Sequence, residues 1–383
     1  MENGKMRNMR VVMWDLTGAG MAWMDEHAVR IDLIELASID GKQKDTIPIS
    51  LLSETDDWDW LFIFEFGMRS YTQRVLEIWG IPQEKVMYPF DSLSIVQNGR
   101  DSYYMFDEVI RRAVEFYDLP HHQKYSLVTL DEGISYMGKS TDVCIMSFMY
   151  MSGQNWALHD MWKFYELSKR YYSFTEKQTI FMDIGANIGT TCIYFKKQID
   201  PSTKIVALEP MPETFWLLSQ NIYLNGLQDE TRLFQIGVSD QEEEKEIHYH
   251  ESNPGGSSFV WRSADSSIVS VKTDSFDALI RKQGIPLDEI KYLWIDVEGF
   301  EGAFVAGGKE TLRQLHVPIV MEVTPKLLEV QGHKERFLQD LQELYSRYIV
   351  MGEEEIREYP IEQLAKFDST DEHEFQKDIF LLK

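Results

Sequence analysis

Residues 179–191 read TIFMDIGANIGTT, and this stretch decides the fold. Residues 179–182 are a short apolar run of the kind buried in a parallel strand. Asp183 ends the run, and Gly185, Ala186, Asn187 and Gly189 form a turn. Residues 190–197 then read as the opening of a helix. Strand, glycine turn and helix N-terminus together let backbone N–H groups approach a nucleotide-like ligand.

The spacing is D-x-G-x-N-x-G, not the G-x-G-x-x-G of a dinucleotide turn. An acid ahead of the turn repels a pyrophosphate but suits a ligand with a cationic amino-acid end, such as S-adenosylmethionine (SAM). The next apolar strand, residues 204–208, ends at Glu209-Pro210. An acid at that tip is placed to hold a ribose hydroxyl pair. Pro212 opens a helix to residue 225, with Glu213 complementing its N-terminal dipole. A third strand, residues 231–236, leads to Asp240, which can meet an adenine amine.

Later strands carry more acids. Residues 292–295 end in Asp296-Val297-Glu298-Gly299. On a continuing strand Asp296 and Glu298 share a face at the carboxyl end of the sheet, where open α/β sheets bind ligands. Glu322 ends another strand. Asp296 and Glu298 are the first candidates to take a proton from an acceptor hydroxyl, followed by Glu322 and His248. The same pair could instead hold a divalent cation, but no metal site is assigned. Residues 241–246 read as a solvated acidic turn. Residues 246–250 alternate, putting His248 and His250 on one strand face. The run NPGGSSF reads as a mobile polar loop whose Ser257 and Ser258 suit an acceptor's hydroxyls. A final strand is expected at residues 378–382.

FMDIGANIGTT, VALEPMPETFWLLSQNIYLN, IGVSD, VKTDSFDAL, LWIDVEGFE and IVMEV, in this order, resemble the FkbM family of SAM-dependent methyltransferases. The resemblance covers residues 172–383. It implies a Rossmann-like class I methyltransferase sheet whose final strand, residues 378–382, inserts antiparallel, SAM as cofactor, and O-methylation of a sugar hydroxyl in a surface glycan or its precursor. It also implies that the aromatic helix at residues 156–172 packs over the cofactor mouth. The family's usual lysine before I-D-V-E-G is Trp294 here.

Ahead of that region, residues 10–14, 30–36, 60–64 and 85–88 read as strands. Helical stretches are expected at 47–54, 70–79 and 107–117. The alternation predicts a small N-terminal α/β domain over residues 1–100. A helical and hairpin connector over 101–172 and the catalytic domain over 173–383 complete the expected organisation. Gly18-Ala19-Gly20 lacks the third glycine of a nucleotide turn, so a structural or docking role is expected of that domain.

Composition narrows the partners. Of 383 residues, 38 are Lys or Arg and 63 are Asp or Glu, a net charge of −25. That speaks against nucleic acid and an anionic membrane surface as partners, and for a small-molecule or glycan acceptor. The two cysteines, Cys144 and Cys192, form no metal-ligand pattern. No membrane span and no leader are evident, so a cytoplasmic protein is expected; the oligomeric state stays unassigned. Two other classes stay open: a nucleotide-dependent oxidoreductase, and a non-catalytic module that binds a nucleoside-like ligand within a glycan-assembly complex.

Overall fold

A computed structural model describes residues 9–15, 31–38, 47–53, 55, 57–64, 75–82, 85–87, 112, 116, 119–121, 123–251, 253–260, 266–353, 355–366 and 376–383. The chain divides into two compact units, Met1–His122 with Tyr150–Ser152, and Gln123–Met149 with Gly153–Lys383.

The first unit holds a five-stranded sheet made from β1 (Met9–Asp15), β2 (Ile31–Ser38), β3 (Ile47–Pro48), β4 (Trp60–Phe64) and β5 (Val86–Met87). Their order is β3-β2-β1-β4-β5, every pairing parallel, as the alternation predicts. Val12, Trp14, Leu61 and Ile63 give it its own buried core. Gly18–Gly20 and most of the expected helices at 70–79 and 107–117 lie outside the described residues.

The second unit is built on an eight-stranded sheet. Its strands are β8 (Ile180–Ile184), β9 (Lys204–Leu208), β10 (Thr231–Phe234), β14 (Ile290–Ile295), β15 (Ile319–Val323), β16 (Arg347–Val350), β17 (Tyr359–Pro360) and β18 (Lys377–Leu382). They lie in the order β10-β9-β8-β14-β15-β18-β16-β17. From β10 to β15 all pairs are parallel; β18 runs antiparallel between β15 and β16. The final strand therefore inserts as expected. β8 and β14 are neighbours in space but three strands apart in this sheet's chain order, and that reversal opens a crevice at their carboxyl ends.

Each face of this sheet is covered. Helix α2 (Leu158–Tyr171) lays Phe164 against Phe181 of β8, Tyr292 and Trp294 of β14 and Phe380 of β18. Phe195 joins this cluster at 4.6 Å from Phe181 and 4.8 Å from Tyr292. Edge and tilted contacts of this kind contribute about 0.5–1.5 kcal/mol each beyond area burial. The predicted aromatic helix is thus core packing where Phe164 is concerned. Trp294, in the place of the family's usual lysine, is buried edge-on to the same ring.

A hairpin of β6 (Tyr125–Thr129) and β7 (Ser135–Lys139) is stitched to helix α4 (Pro212–Leu224) and to the residue after it. Asn221 accepts the Met137 N–H at 2.6 Å and donates to the carbonyls of Met137 and Ile188. One turn later Asn225 accepts from the Ser135 N–H and donates to its carbonyl. Residues four apart on a helix meet residues two apart on a strand, which is a fair geometric match. Because Asn221 is fully buried, Asn221→Ala strands three backbone groups and is expected to cost about 2–4 kcal/mol. A urea-denaturation curve checks it; a loss under about 1 kcal/mol would leave the stitching without energetic weight.

Among the described residues, no helix is long and apolar enough to cross a membrane.

Candidate active site

The turn after β8 folds as its sequence demands. Gly185 and Ala186 both donate their N–H to the carbonyl of Leu208, tying the turn to β9. Gly185 has φ +86°, and a Cβ there would lie 1.7 Å from the carbonyl oxygen of Asp296. Only glycine fits. Asn187 has φ +48°, and its N–H donates to Glu209 Oε2 at 3.0 Å. The other oxygen of Glu209 accepts the Met211 N–H at 2.8 Å. Gly189 caps helix α3 (Thr190–Tyr194) with φ +90°. Behind the turn, buried Asn155 donates to Tyr136 Oη and to the Thr190 carbonyl, fixing the helix's first residue.

Acids gather at the carboxyl ends of the strands. Asp183 stands beside Trp294, two residues below Asp296, and Glu322 of β15 is paired with Asp378 of β18. One oxygen from each of Asp296, Glu298 and Glu322 lies within 4.8 Å of the others. Burial pushes the Asp183 carboxyl up to about 7, and contacts from the Cys192 thiol and N–H offset this only in part. Burial likewise raises Glu209 to about 7, against its two N–H donors. Asp296 is raised to about 6, Glu301 and Asp378 to about 8, and Glu298 and Glu322 well above the ordinary range. Desolvation leads in every case; neighbouring acids add to it at Asp183, Glu209, Glu298, Glu301, Glu322 and Asp378, whereas at Asp296 hydrogen bonds from Glu322 and the Glu298 N–H oppose it.

Asp296 and Glu298 do not share a strand face as the alternation predicts. β14 stops at Ile295, and Glu298 takes a left-handed φ of +48°. Among the described residues, Asn187 and Glu298 are the non-glycine residues with positive φ, and both belong to this site. Such backbone persists where surrounding contacts impose it. Here Ser258 Oγ donates to the Glu298 carbonyl at 2.5 Å, and Gln331 donates to the carbonyl of Gly299. The turn brings Glu298 back towards Asp296, so the two acids meet by a route other than strand alternation.

The NPGGSSF run is also different from its sequence reading. Ser257 and Ser258 are buried, not on a mobile surface loop. Asn253 accepts the Gly256 N–H to close a tight turn, and Ser258 exchanges both backbone hydrogen bonds with His248. His248 is buried in β12 (Glu243–Tyr249), which also absorbs most of the acidic stretch read as a solvated turn. That strand pairs with β13 (Ser267–Ser275), and β13 pairs in turn with β11 (Gly237–Ser239). Asp240 follows β11 and is exposed, accepting from Ser239 Oγ. Pro210 is half-buried beside Gly237.

Two members of the acid group were not singled out from the sequence. Glu301 is fully buried; one oxygen accepts the Gly299 N–H and the other has no partner. Its position three residues after Glu298 was visible in the quoted run. Asp378 is the second residue of the last strand and shows its role only through the pairing with Glu322.

The donor set fits a cationic nucleoside ligand. Asp183 Oδ2 and Asn187 Oδ1 are buried without hydrogen-bond partners, and both flank the glycine turn. The strand order, with its antiparallel strand between β15 and β16, and the glycine turn are those of a Rossmann-like class I methyltransferase sheet. Residues 183–357 match the methyltransferase FkbM domain.

The 2-O-methyltransferase NoeI of Sinorhizobium fredii is 29% identical over 165 residues, 38% of this chain and 65% of that protein. Methyltransferase sdnD of Sordaria araneosa is 31% identical over 103 residues, 27% of this chain and 36% of its own. The matches thus span less than two thirds of either relative. Among solved structures, methyltransferase FkbM from Methylobacillus flagellatus aligns over 98% of this chain and 90% of its own, at 11% identity and a TM-score of 0.36. TYW2 of P. horikoshii, solved with MeSAdo, aligns over 84% and 85%, at 14% identity and 0.33. At those scores the strand order alone carries the fold.

Proposed function

We propose that the protein transfers the methyl group of SAM to a hydroxyl of a small-molecule or glycan acceptor. The observation that carries this reading is the turn at Gly185, closed on Asp296 and flanked by the unpartnered oxygens of Asp183 and Asn187. The name of NoeI supports oxygen as the atom methylated. The net charge of −25 supports an acceptor other than nucleic acid.

In this reading Asp183 faces the cationic amino-acid end, Glu209 takes the ribose hydroxyls, and Gly185, Ala186, Asn187, Gly189 and Pro210 shape the cleft. Asp240 serves the adenine. Bound there, SAM supplies a methyl carbon on a positive sulfur. Held by Asp183, Glu209 and the glycine turn, it would donate that methyl group to the acceptor oxygen. Asp296 and Glu298 withdraw the hydroxyl's proton as the oxygen attacks. Asp296, raised by burial to about 6, suits a base near neutral pH. His248, Ser257, Ser258 and Glu322 border the acceptor side, with Ser258 holding the Glu298 turn. The first unit, with its parallel sheet, serves docking or structure.

The test is calorimetric titration with SAM and, separately, with NADH. Saturable SAM binding is expected, weakened at least about tenfold in Asp183→Asn and in Glu209→Gln. Unchanged affinity in both variants, or binding of NADH alone, overturns the reading. SAM binding with no turnover on any hydroxyl acceptor would favour the non-catalytic module.

A further inference from the structure

We propose that Asp296, Glu298 and Glu322 form a binding site for one divalent cation of the hard, oxygen-preferring class: Mg2+, Mn2+ or Ca2+. The site stands on geometry alone; only its use beside the acceptor hydroxyl rests on the methyltransferase reading.

The three carboxylates come from separate places in the fold. Asp296 follows β14, Glu298 sits in the left-handed turn, and Glu322 lies on the neighbouring strand β15. Oxygens within 4.8 Å of one another can surround a single ion at about 2.0–2.6 Å from each. All three donors are hard oxygens, with no sulfur or imidazole among them, which selects against zinc and copper.

A second observation points to a ligand. Glu322 is only 5% exposed, and its Oε2 has no hydrogen-bond partner. Asp296 Oδ1, facing the same space, has none either. A buried carboxylate without a partner is costly to keep. The nearby charges that act on Glu322 are all negative: Asp296, Glu298, Asp378 and Glu301. What would satisfy these oxygens is a positive charge brought from outside, or a proton held between two of them.

An ion at this place would also explain why the chain maintains the unusual turn at Glu298. Extended backbone after Ile295 would carry Glu298 away along the strand direction. The φ of +48° and the hydrogen bond from Ser258 return it to Asp296 and Glu322, completing three ligands on one side of an ion. The remaining positions would stay open to water or to an acceptor oxygen, and a cation so placed acidifies a bound hydroxyl.

The experiment uses the full chain, dialysed free of metal and titrated with MnCl2, followed by electron paramagnetic resonance and calorimetry. One saturable Mn2+ per chain is expected. Binding should weaken roughly a hundredfold in Glu322→Gln and in Asp296→Asn. Mn2+ should raise the melting temperature of the unsubstituted protein and leave that of the variants unmoved. If Glu322→Gln fails to fold, Glu298→Gln makes the same comparison at a half-buried position. Absence of saturable binding means a shared proton and overturns the proposal. Equal binding by the folded variants overturns it too, as does displacement of Mn2+ by SAM, which would give the trio to the cofactor. SAM titration of the same metal-free sample separates the two readings. SAM binding without Mn2+ binding removes the cation site alone, and Mn2+ binding without SAM binding removes the methyltransferase reading alone.

Discussion

Gly185→Ala is expected to abolish measurable SAM binding and to cost about 4 kcal/mol of stability. Two independent penalties add. The residue sits at φ +86°, and an alanine there pays roughly 1–2 kcal/mol for the left-handed region. Its Cβ would also stand 1.7 Å from the Asp296 carbonyl oxygen and 2.9 Å from the carbonyl carbon. Those are backbone atoms of the neighbouring strand end, so no rotamer change relieves the clash. One of two things must move: the turn away from β14, or Asp296 away from the turn. Either shift separates Asp183 from Asp296 and disturbs the N–H bonds from Gly185 and Ala186 to Leu208. Overpacking of a rigid site adds roughly 1–3 kcal/mol. The control is Gly226→Ala, at φ +69° with nothing within 4 Å of its Cβ, which should lose only about 1–2 kcal/mol and leave SAM binding intact. Equal melting temperatures for the two variants would mean that the close approach at Gly185 carries no energy.

That glycine was legible in the sequence because a one-residue spacing from Asp183 leaves few alternatives. The antiparallel entry of β18 was legible only through the family resemblance, since the strand itself carries no signal of direction. The turn at Glu298 was not legible. Glycine, the residue that signals left-handed backbone, stands one position later, at Gly299. Alternation from Asp296 to Glu298 therefore passed for strand, although Ser258 and Gln331 impose the turn from forty and thirty-odd residues away. The serine-rich loop failed for the same reason. NPGGSS has the composition of an exposed loop, but Ser258 bridges to His248 on another strand and donates to the Glu298 carbonyl. Glu301 looks locally like an ordinary acid in the first turn of a helix, where free N–H groups welcome it. Its complete burial comes from what packs around that helix, which no local pattern records. The asparagines at 221 and 225 show their spacing in the sequence but not their partner hairpin.

The ligand-free protein is expected to lose several kcal/mol of stability as pH rises from about 4 to 8. Asp183, Glu209 and Glu301 decide the sign. Their native values are raised to about 7, about 7 and about 8. In the unfolded chain such carboxyls release their protons near 4. Below that pH both states are protonated and these groups contribute nothing. Between about 4 and 7–8 the native state holds protons that the unfolded state has given up, so stability falls with pH at up to about 1.4 kcal/mol per unit per group. Acids this close give up their protons in turn, which keeps the total below a simple sum. Glu213 works the other way. Lys124, Tyr125 and Lys139 hold it at about 2, so its stabilisation is present above about 4 and fades as pH falls towards 2. The two trends place the ligand-free optimum near pH 4–5, well below neutral. A cationic ligand reverses the upper limb, because it favours the ionised acids and displaces their protons. SAM should therefore bind more tightly at pH 8 than at pH 6, with proton release visible as a buffer-dependent heat. Melting curves from pH 4 to 8.5, with and without SAM, test both limbs. A ligand-free melting temperature that rises or stays flat over that range would mean that the buried acids are already neutralised by a group bound to the native state.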